Sequence, residues 1–446
     1  MLPDCDADLV AKLQDTCGAK RRALRGNLLA VSEGVWSRVA LISLGGFFEF
    51  YDLFFTGYIA PGLVRSGILT PTTPGLFGTT GIAGFVAAMF SGLFVGTALV
   101  SFAADRLGRR TIFTWSLLWY SVASVIMAFQ HDVFGLNLWR FISGIGVGVE
   151  LVTIDTYLAE LVPAHLRGRA FAINQTIQFT AVPVVALLAW LLVPRTLFGL
   201  DGWRWVVLLG ASGAIVVWWV RRRVPESPRW IAEHTPKHKE EVRPRSSFLE
   251  MWRPPYRTRS IMLIVFHLFQ TVGFYGFSNW VPTLLIQRGI AVTTSLRYTF
   301  LIAIAAPFGP LAASRLADRL ERKWQIVWSA FAIAVSGLLF AHMNAAAIVI
   351  LLGIALTLAN NILSFSSHAY QAELYPTRIR ARAVGFVYSW SRISVVFSSF
   401  VIAFFLDRFG VAGVFSLIAG SMVIVTLAIG LLGPRSNNLP LETLSG

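Results

Sequence analysis

Stretches of ~20 consecutive, mostly apolar residues recur along the whole of this chain, each long enough to cross a ~30 Å hydrocarbon core as an α-helix. In lipid the backbone must satisfy its own hydrogen bonds, which leaves only helices or a closed barrel. The runs do not alternate in ~10-residue segments, so a barrel is excluded. Composition agrees. Of 446 residues, 55% are hydrophobic and 14% charged, against about 25% charged in an average globular protein. The mean hydropathy is +0.65. A disordered chain is ruled out and a soluble enzyme is disfavoured.

Twelve spans are predicted, at 38–62, 81–104, 111–129, 133–160, 170–193, 204–221, 260–286, 295–315, 324–342, 346–371, 382–406 and 410–433. The formal net charge is +15, and its distribution is informative. Loops after the even-numbered spans hold Arg106, Arg109 and Arg110, then Arg167 and Arg169, then a run from Arg221 to Arg245. Arg319, Arg322 and Lys323 follow, and then Arg378, Arg380 and Arg382. The opposite loops carry little beyond Arg65, Arg195, Arg288 and Arg408. The positive-inside rule therefore places the basic loops and both termini in the cytoplasm, with a bacterial inner membrane as the expected location. The predicted organisation is an N-terminal tail (1–37), a six-helix half (38–222), a basic central loop (223–258), a second six-helix half (259–433) and a C-terminal tail (434–446). The N-terminus reads as a tail and not as a cleavable signal. The two cysteines, Cys5 and Cys17, both precede the first span, so neither a disulfide framework nor a metal-ligand spacing arises in the bundle. No cofactor and no nucleic-acid partner is expected, and a monomer is the expected working unit.

Two charged motifs each occur twice. Asp105-Arg106-Leu107-Gly108-Arg109-Arg110 is echoed by Asp318-Arg319-Leu320-Glu321-Arg322-Lys323, and Glu160-x-x-Pro163-x-x-x-Arg167 by Glu373-x-x-Pro376-x-x-x-Arg380. Both second copies lie 213 residues after the first, Asp318 after Asp105 and Glu373 after Glu160. Basic loops alone do not explain equal offsets; duplication does. Two similar six-helix halves imply a rocking transporter with substrate held between them near the midplane. Carboxylates at span ends beside arginines of neighbouring loops can latch such halves, a two-state element; alternatively they anchor helix ends in headgroups.

These residues resemble the major facilitator superfamily, over the whole chain. Asp105–Arg110 is similar to its G-x-x-x-D-R-x-G-R-R signature, with Ser101 in place of the first glycine. Arg140-x-x-x-Gly144-x-Gly146-x-Gly148, the Glu160 motif and Pro225-Glu226-Ser227-Pro228-Arg229 resemble the sugar-porter-like branch, whose members include sugar, aromatic-acid and nicotinate-type carriers. The resemblance implies the fold and a transport activity, and leaves the substrate open. It also implies that an acid in span 1 pairs with the arginine opening the span 4 glycine motif; Asp52 and Arg140 occupy those positions.

Ionisable residues deep in a span are costly and are functional candidates by default. Asp52 lies about 21 Å into span 1, three residues after Glu49 on one helix face. With Arg140, Asp52 and Glu49 are the candidates for proton coupling; a static ion pair is the alternative for Asp52 and Arg140. Asp155 is read into the network near Glu160, and Glu150 as a deeper candidate. Arg392 sits near mid-bilayer in span 11 with no acid close in its own span. Its planar fork suits a substrate carboxylate; pairing with Glu49 or Glu150, or with a backbone carbonyl, is the alternative. Gln175, Gln178, Gln270, Tyr275, Asn279, Trp280 and Asn361 are candidate lining residues, with interhelical hydrogen bonding as the alternative. Gln270 stands alone where sugar porters carry paired glutamines, and Tyr275-Gly276-x-x-Asn279-Trp280-x-Pro282 looks like the corresponding segment of nicotinate-type carriers. His267 and His368 are read as structural.

The leading expectation is proton-coupled symport of a small organic acid. A sugar or polyol symporter, an organic-cation exporter and a non-cycling receptor of the same fold are the alternatives. No Walker motif and no nucleophile–base constellation is visible, so neither ATP-driven transport nor an enzyme is expected.

Overall fold

The computed structural model describes residues 35–70, 81–97, 107–162, 166–213, 215–216, 226, 248–317 and 320–435. The apolar runs form α1 (Val35–Tyr58), α2 (Gly81–Val95), α3 (Arg109–Ala128), α4 (Val133–Leu161), α5 (Gly168–Leu192) and α6 (Gly202–Ala211). The second half supplies α7 (Tyr256–Ser278), α8 (Val292–Leu316), α9 (Arg322–His342) and α10 (Ala346–Glu373). Thr377–Leu432 is continuous in hydrogen bonding but turns at Gly410, where φ is 65°. That glycine separates α11 (377–409) from α12 (411–432), giving the twelve-helix, two-half architecture. Local chemistry sets the ends: Asp132 caps α4 by accepting from the Gly135 N–H at 2.7 Å.

Two apolar cores correspond to the two halves. One gathers Phe54, Phe85, Phe90 and Trp203, the other Phe266, Ile333, Phe340 and Phe415. Large apolar side chains also cover the outside. Trp115, Trp119 and Val122 form an exposed stripe on α3, and Trp328 and Phe331 a similar one on α9. On a soluble protein such faces would demand a partner; here lipid is the partner.

The glycine motif of α4 has a packing reason. Gly144 and Gly148 abut the backbone of α2 at Met89 and Leu93, while Gly92 and Gly96 of α2 abut Phe141 and Ile145 of α4. A Cβ at any of the four would strike a carbonyl oxygen. Small residues on both helices thus bring the backbones into contact, the usual solution where lipid offers no hydrophobic drive. The seam fixes the depth of Arg140, one turn before Gly144.

The halves meet tightly at the end opposite the basic loops. Trp190 of α5 stacks on Phe300 of α8, with centroids 5.9 Å apart and planes at 19°. Phe54 and Phe179 both pack on Phe274 of α7, at 6.5 and 6.4 Å.

Part of the charged-motif network falls among the described residues. The Arg110 backbone N–H donates to Glu226 at 3.1 Å, holding that carboxylate at the start of α3. Arg322 pairs with Glu373. The first contact ties the central loop to α3, and the second ties α9 to α10 within one half. Glu160 sits half-buried near the end of α4. Asp105, Arg106, Asp318 and Arg319, and the side chains of Arg109, Arg167 and Arg380, lie outside the described residues.

Candidate functional site

A cavity of about 80 Å³ lies between the halves, lined by α1, α4, α5, α7, α10 and α11. It is several times the ~10–15 Å³ that one water needs, and its walls are polar enough to hold water. The lining positions cluster from mid-helix toward the basic-loop ends, and the aromatic contacts at Phe274 and Trp190 close the other end. Asp155 is exposed although it faces the bundle interior, which marks this cavity as open toward the basic-loop side.

Arg392 of α11 is the charged centre of the wall. It is 2% exposed. One terminal nitrogen donates to the Tyr388 hydroxyl at 2.8 Å, the other to the Tyr275 hydroxyl at 3.5 Å, and Nε has no partner. The guanidinium also lies 4.8 Å from the centroid of the Tyr388 ring. Among the described residues no carboxylate comes within ion-pair distance, so Arg392 pairs with neither Glu49 nor Glu150. Its charge is held by neutral hydroxyls and faces open space.

Gln175, Gln178, Gln270 and Tyr275 line the same cavity, as the sequence suggested. Phe50, Phe179 and Phe274 supply apolar faces beside them. Asn279, Trp280 and Asn361 lie elsewhere. Asn361 donates to the Ala306 carbonyl at 2.9 Å and borders a smaller cavity with Tyr58 and Thr299. Trp280 lines a groove with Pro61 and Asp407 at the closed end. Asn279 is buried beside it in sequence, with neither amide atom hydrogen-bonded.

Asp52 and Arg140 meet as the resemblance implied. Arg140 donates to Asp52 Oδ2 at 2.8 Å, to the Asp52 carbonyl at 2.6 Å and to Thr56. Ser124 and Ser143 donate to the two carboxylate oxygens at 2.8 and 3.2 Å. The guanidinium lies 4.3 Å from the centroid of Phe55. Both side chains are buried, and neither borders the cavity. The pair sits one layer behind the wall formed by Phe50 and Leu53. Glu49 is fully buried and makes no hydrogen bond.

Several cavity-lining residues were not singled out by sequence reasoning or were placed elsewhere by it. Tyr388 precedes Arg392 by one helical turn, and that i, i+4 spacing was the available signal. Asp155 belongs to the cavity wall and not to the rim network. His267 and His368 do make structural bonds, to Gln371 at 2.9 Å and to the Ser364 carbonyl at 2.8 Å. Both also face the cavity and flank Tyr388, with centroids 5.3 and 5.4 Å from its ring.

Comparison with known proteins gives a consistent picture. A family model described as "Major Facilitator Superfamily" matches residues 42–366 and 299–443. The chain is 28% identical to YyaJ of Bacillus subtilis (strain 168), covering 96% of this chain and 98% of the relative. It is 27% identical to the niacin transporter NiaP of Acinetobacter baylyi, covering 91% and 95%. Among solved structures it is similar to the inward-open xylose transporter XylE from E. coli, with a TM-score of 0.74 at 20% identity over 92% of this chain and 99% of that one. That likeness concerns the fold.

Proposed function

The chain belongs to the major facilitator superfamily, and from that premise we propose that it imports a small organic acid together with protons. Its coarser character follows from the family: it is a multi-pass membrane protein and a secondary transporter, not an enzyme. The observation that carries the finer reading is Arg392. A buried guanidinium that faces the cavity, with only tyrosine hydroxyls for partners, is a receptor for a carboxylate. Phe50, Phe179 and Phe274 suit a flat ring beside that carboxylate, and the niacin carried by the Acinetobacter relative is an aromatic carboxylate of this kind.

In this reading Asp52 and Glu49 take up protons and Arg140 sets when Asp52 does so. Arg140 occupies the Asp52 carboxylate in this state; loosening that pair in the opposite state frees the carboxylate for a proton. The halves (38–222 and 259–433) rock about the cavity, the charged motifs latch them, and both termini face the cytoplasm of a bacterium whose inner membrane holds the protein as a monomer. The three cavity glutamines favour one second reading, a sugar or polyol symporter.

The test is proton influx into proteoliposomes, read by an internal pH dye. The panel is nicotinate, benzoate, quinate, small dicarboxylates, sugars and organic cations. Acidification with one carboxylate class, lost in Arg392→Gln, is the expected result. Acidification with a sugar alone, unchanged in Arg392→Gln, would overturn it.

A further inference from the structure

Glu49 and Glu150 have surroundings that the site as described does not account for. Both are fully buried, and none of their four carboxyl oxygens has a hydrogen-bond partner. Arg140 is committed to Asp52, and Arg392 to two tyrosines. The two glutamates come from different helices, and the fold makes room for them together. Gly45 lies one turn before Glu49 on α1, and a Cβ there would sit 3.1 Å from Glu150 Oε1, beside the Phe113 ring. The Tyr120 hydroxyl of α3, also buried, is the polar group next to Glu150. The groups that face Glu49 are Asp155 and Glu150 of α4, Asp52 of its own helix and Arg392 of α11; those that face Glu150 are Glu49, Asp52 and Tyr120.

Two ionised carboxylates do not persist side by side in an apolar interior without a bound cation, because desolvation and mutual repulsion both oppose them. A single proton resolves this. A carboxyl O–H donates to the neighbouring carboxylate, and a tyrosine hydroxyl can donate to the remaining oxygen. We propose that Glu49, Glu150 and Tyr120 form a proton-binding site distinct from the Asp52–Arg140 pair, in which the two carboxyls share one proton. Phe50 and Leu53, the α1 neighbours of Glu49, line the cavity, so a change in α1 exposure between states hydrates the site and frees the proton. Resting on the symport reading above, this site carries a second proton per cycle. A monoanionic substrate then moves with two protons, and each cycle transfers one net positive charge.

Two measurements on the full-length protein test this. Infrared spectroscopy of purified protein at neutral pH should show a protonated-carboxyl band that shifts in each of Glu49→Gln and Glu150→Gln and is lost in the double variant. Glutamine has the shape of a protonated glutamate, and monodisperse elution checks that each variant is folded. In proteoliposomes, wild-type nicotinate uptake should rise at least several-fold when a potassium–valinomycin potential, negative inside, is imposed, and Glu150→Gln should lose that response. A band unchanged in both variants overturns the site. Wild-type uptake that ignores the potential overturns the second-proton role. If nicotinate and the other carboxylates move no protons in wild type, the symport reading fails, and the infrared band still decides whether the pair holds a proton.

Discussion

Removing one member of the Asp52–Arg140 pair should cost far more than removing both. Asp52 accepts from Arg140, Ser124 and Ser143, and Arg140 adds bonds to the Asp52 carbonyl and to Thr56. Both residues are almost completely shielded, with 3% and 0% of their surfaces exposed. Arg140→Leu leaves Asp52 with two hydroxyl donors and no cation. Asp52→Asn leaves a guanidinium with no counter-charge. Breaking a buried pair in this way costs about 3–5 kcal/mol, whereas replacing both charges is close to neutral. The double variant Asp52→Asn/Arg140→Leu should therefore recover most of the loss, with a coupling energy of about 6 kcal/mol or more. Unfolding in mixed dodecyl maltoside–SDS micelles, followed by tryptophan fluorescence, measures it. Single variants that each lose under ~1 kcal/mol, the range of an exposed pair, or an additive double variant, would mean the pair is hydrated and the layer of Phe50 and Leu53 does not seal it.

Other outcomes follow from the same geometry. Arg392→Lys keeps the charge but gives up the second arm of a bidentate grip, a charge-assisted bond of about 1.5–3 kcal/mol, so affinity for the carboxylate should fall about 10- to 140-fold; scintillation-proximity binding of labelled nicotinate measures it. Asp52→Asn, in protein that elutes as a single species, should lose uphill accumulation yet still exchange internal for external substrate. Retained proton-driven accumulation would place the coupling elsewhere, with Glu49 the next residue to test. Gly144→Val should drive a branched side chain into the α2 backbone, costing at least the ~1–3 kcal/mol of an overpacked core and reducing the folded yield seen by size-exclusion fluorescence.

The helices were legible because a bilayer permits little else for a twenty-residue apolar run. The duplication was legible because charges are rare enough here for equal spacing to stand out. Asp52 and Arg140 stood out for the same reason, but it was the family resemblance that paired them, and they meet at 2.8 Å. What the sequence did not reveal is helix rotation. Asp155 is a few residues from Glu160 along α4, which suggested a shared network, yet the rotation of α4 turns it to the cavity wall. Trp280 and Asn361 look like lining residues by type. Packing turns them toward a groove at the closed end and toward the Ala306 carbonyl instead. Tyr388 was one tyrosine among ten, and only its contact with Arg392 distinguishes it.

The ionisable groups are not shared evenly between the halves. Asp52, Arg140, Glu49 and Glu150 belong to α1 and α4, while Arg392, Tyr275, Tyr388 and both cavity histidines belong to α7, α10 and α11. In the proposed reading the proton sites therefore lie in the first unit and the carboxylate grip in the second, while the aromatic and amide lining of the cavity comes from both. A chimera that joins this N-terminal half to the C-terminal half of a relative with different cargo should keep this protein's ion dependence and lose its grip on a carboxylate.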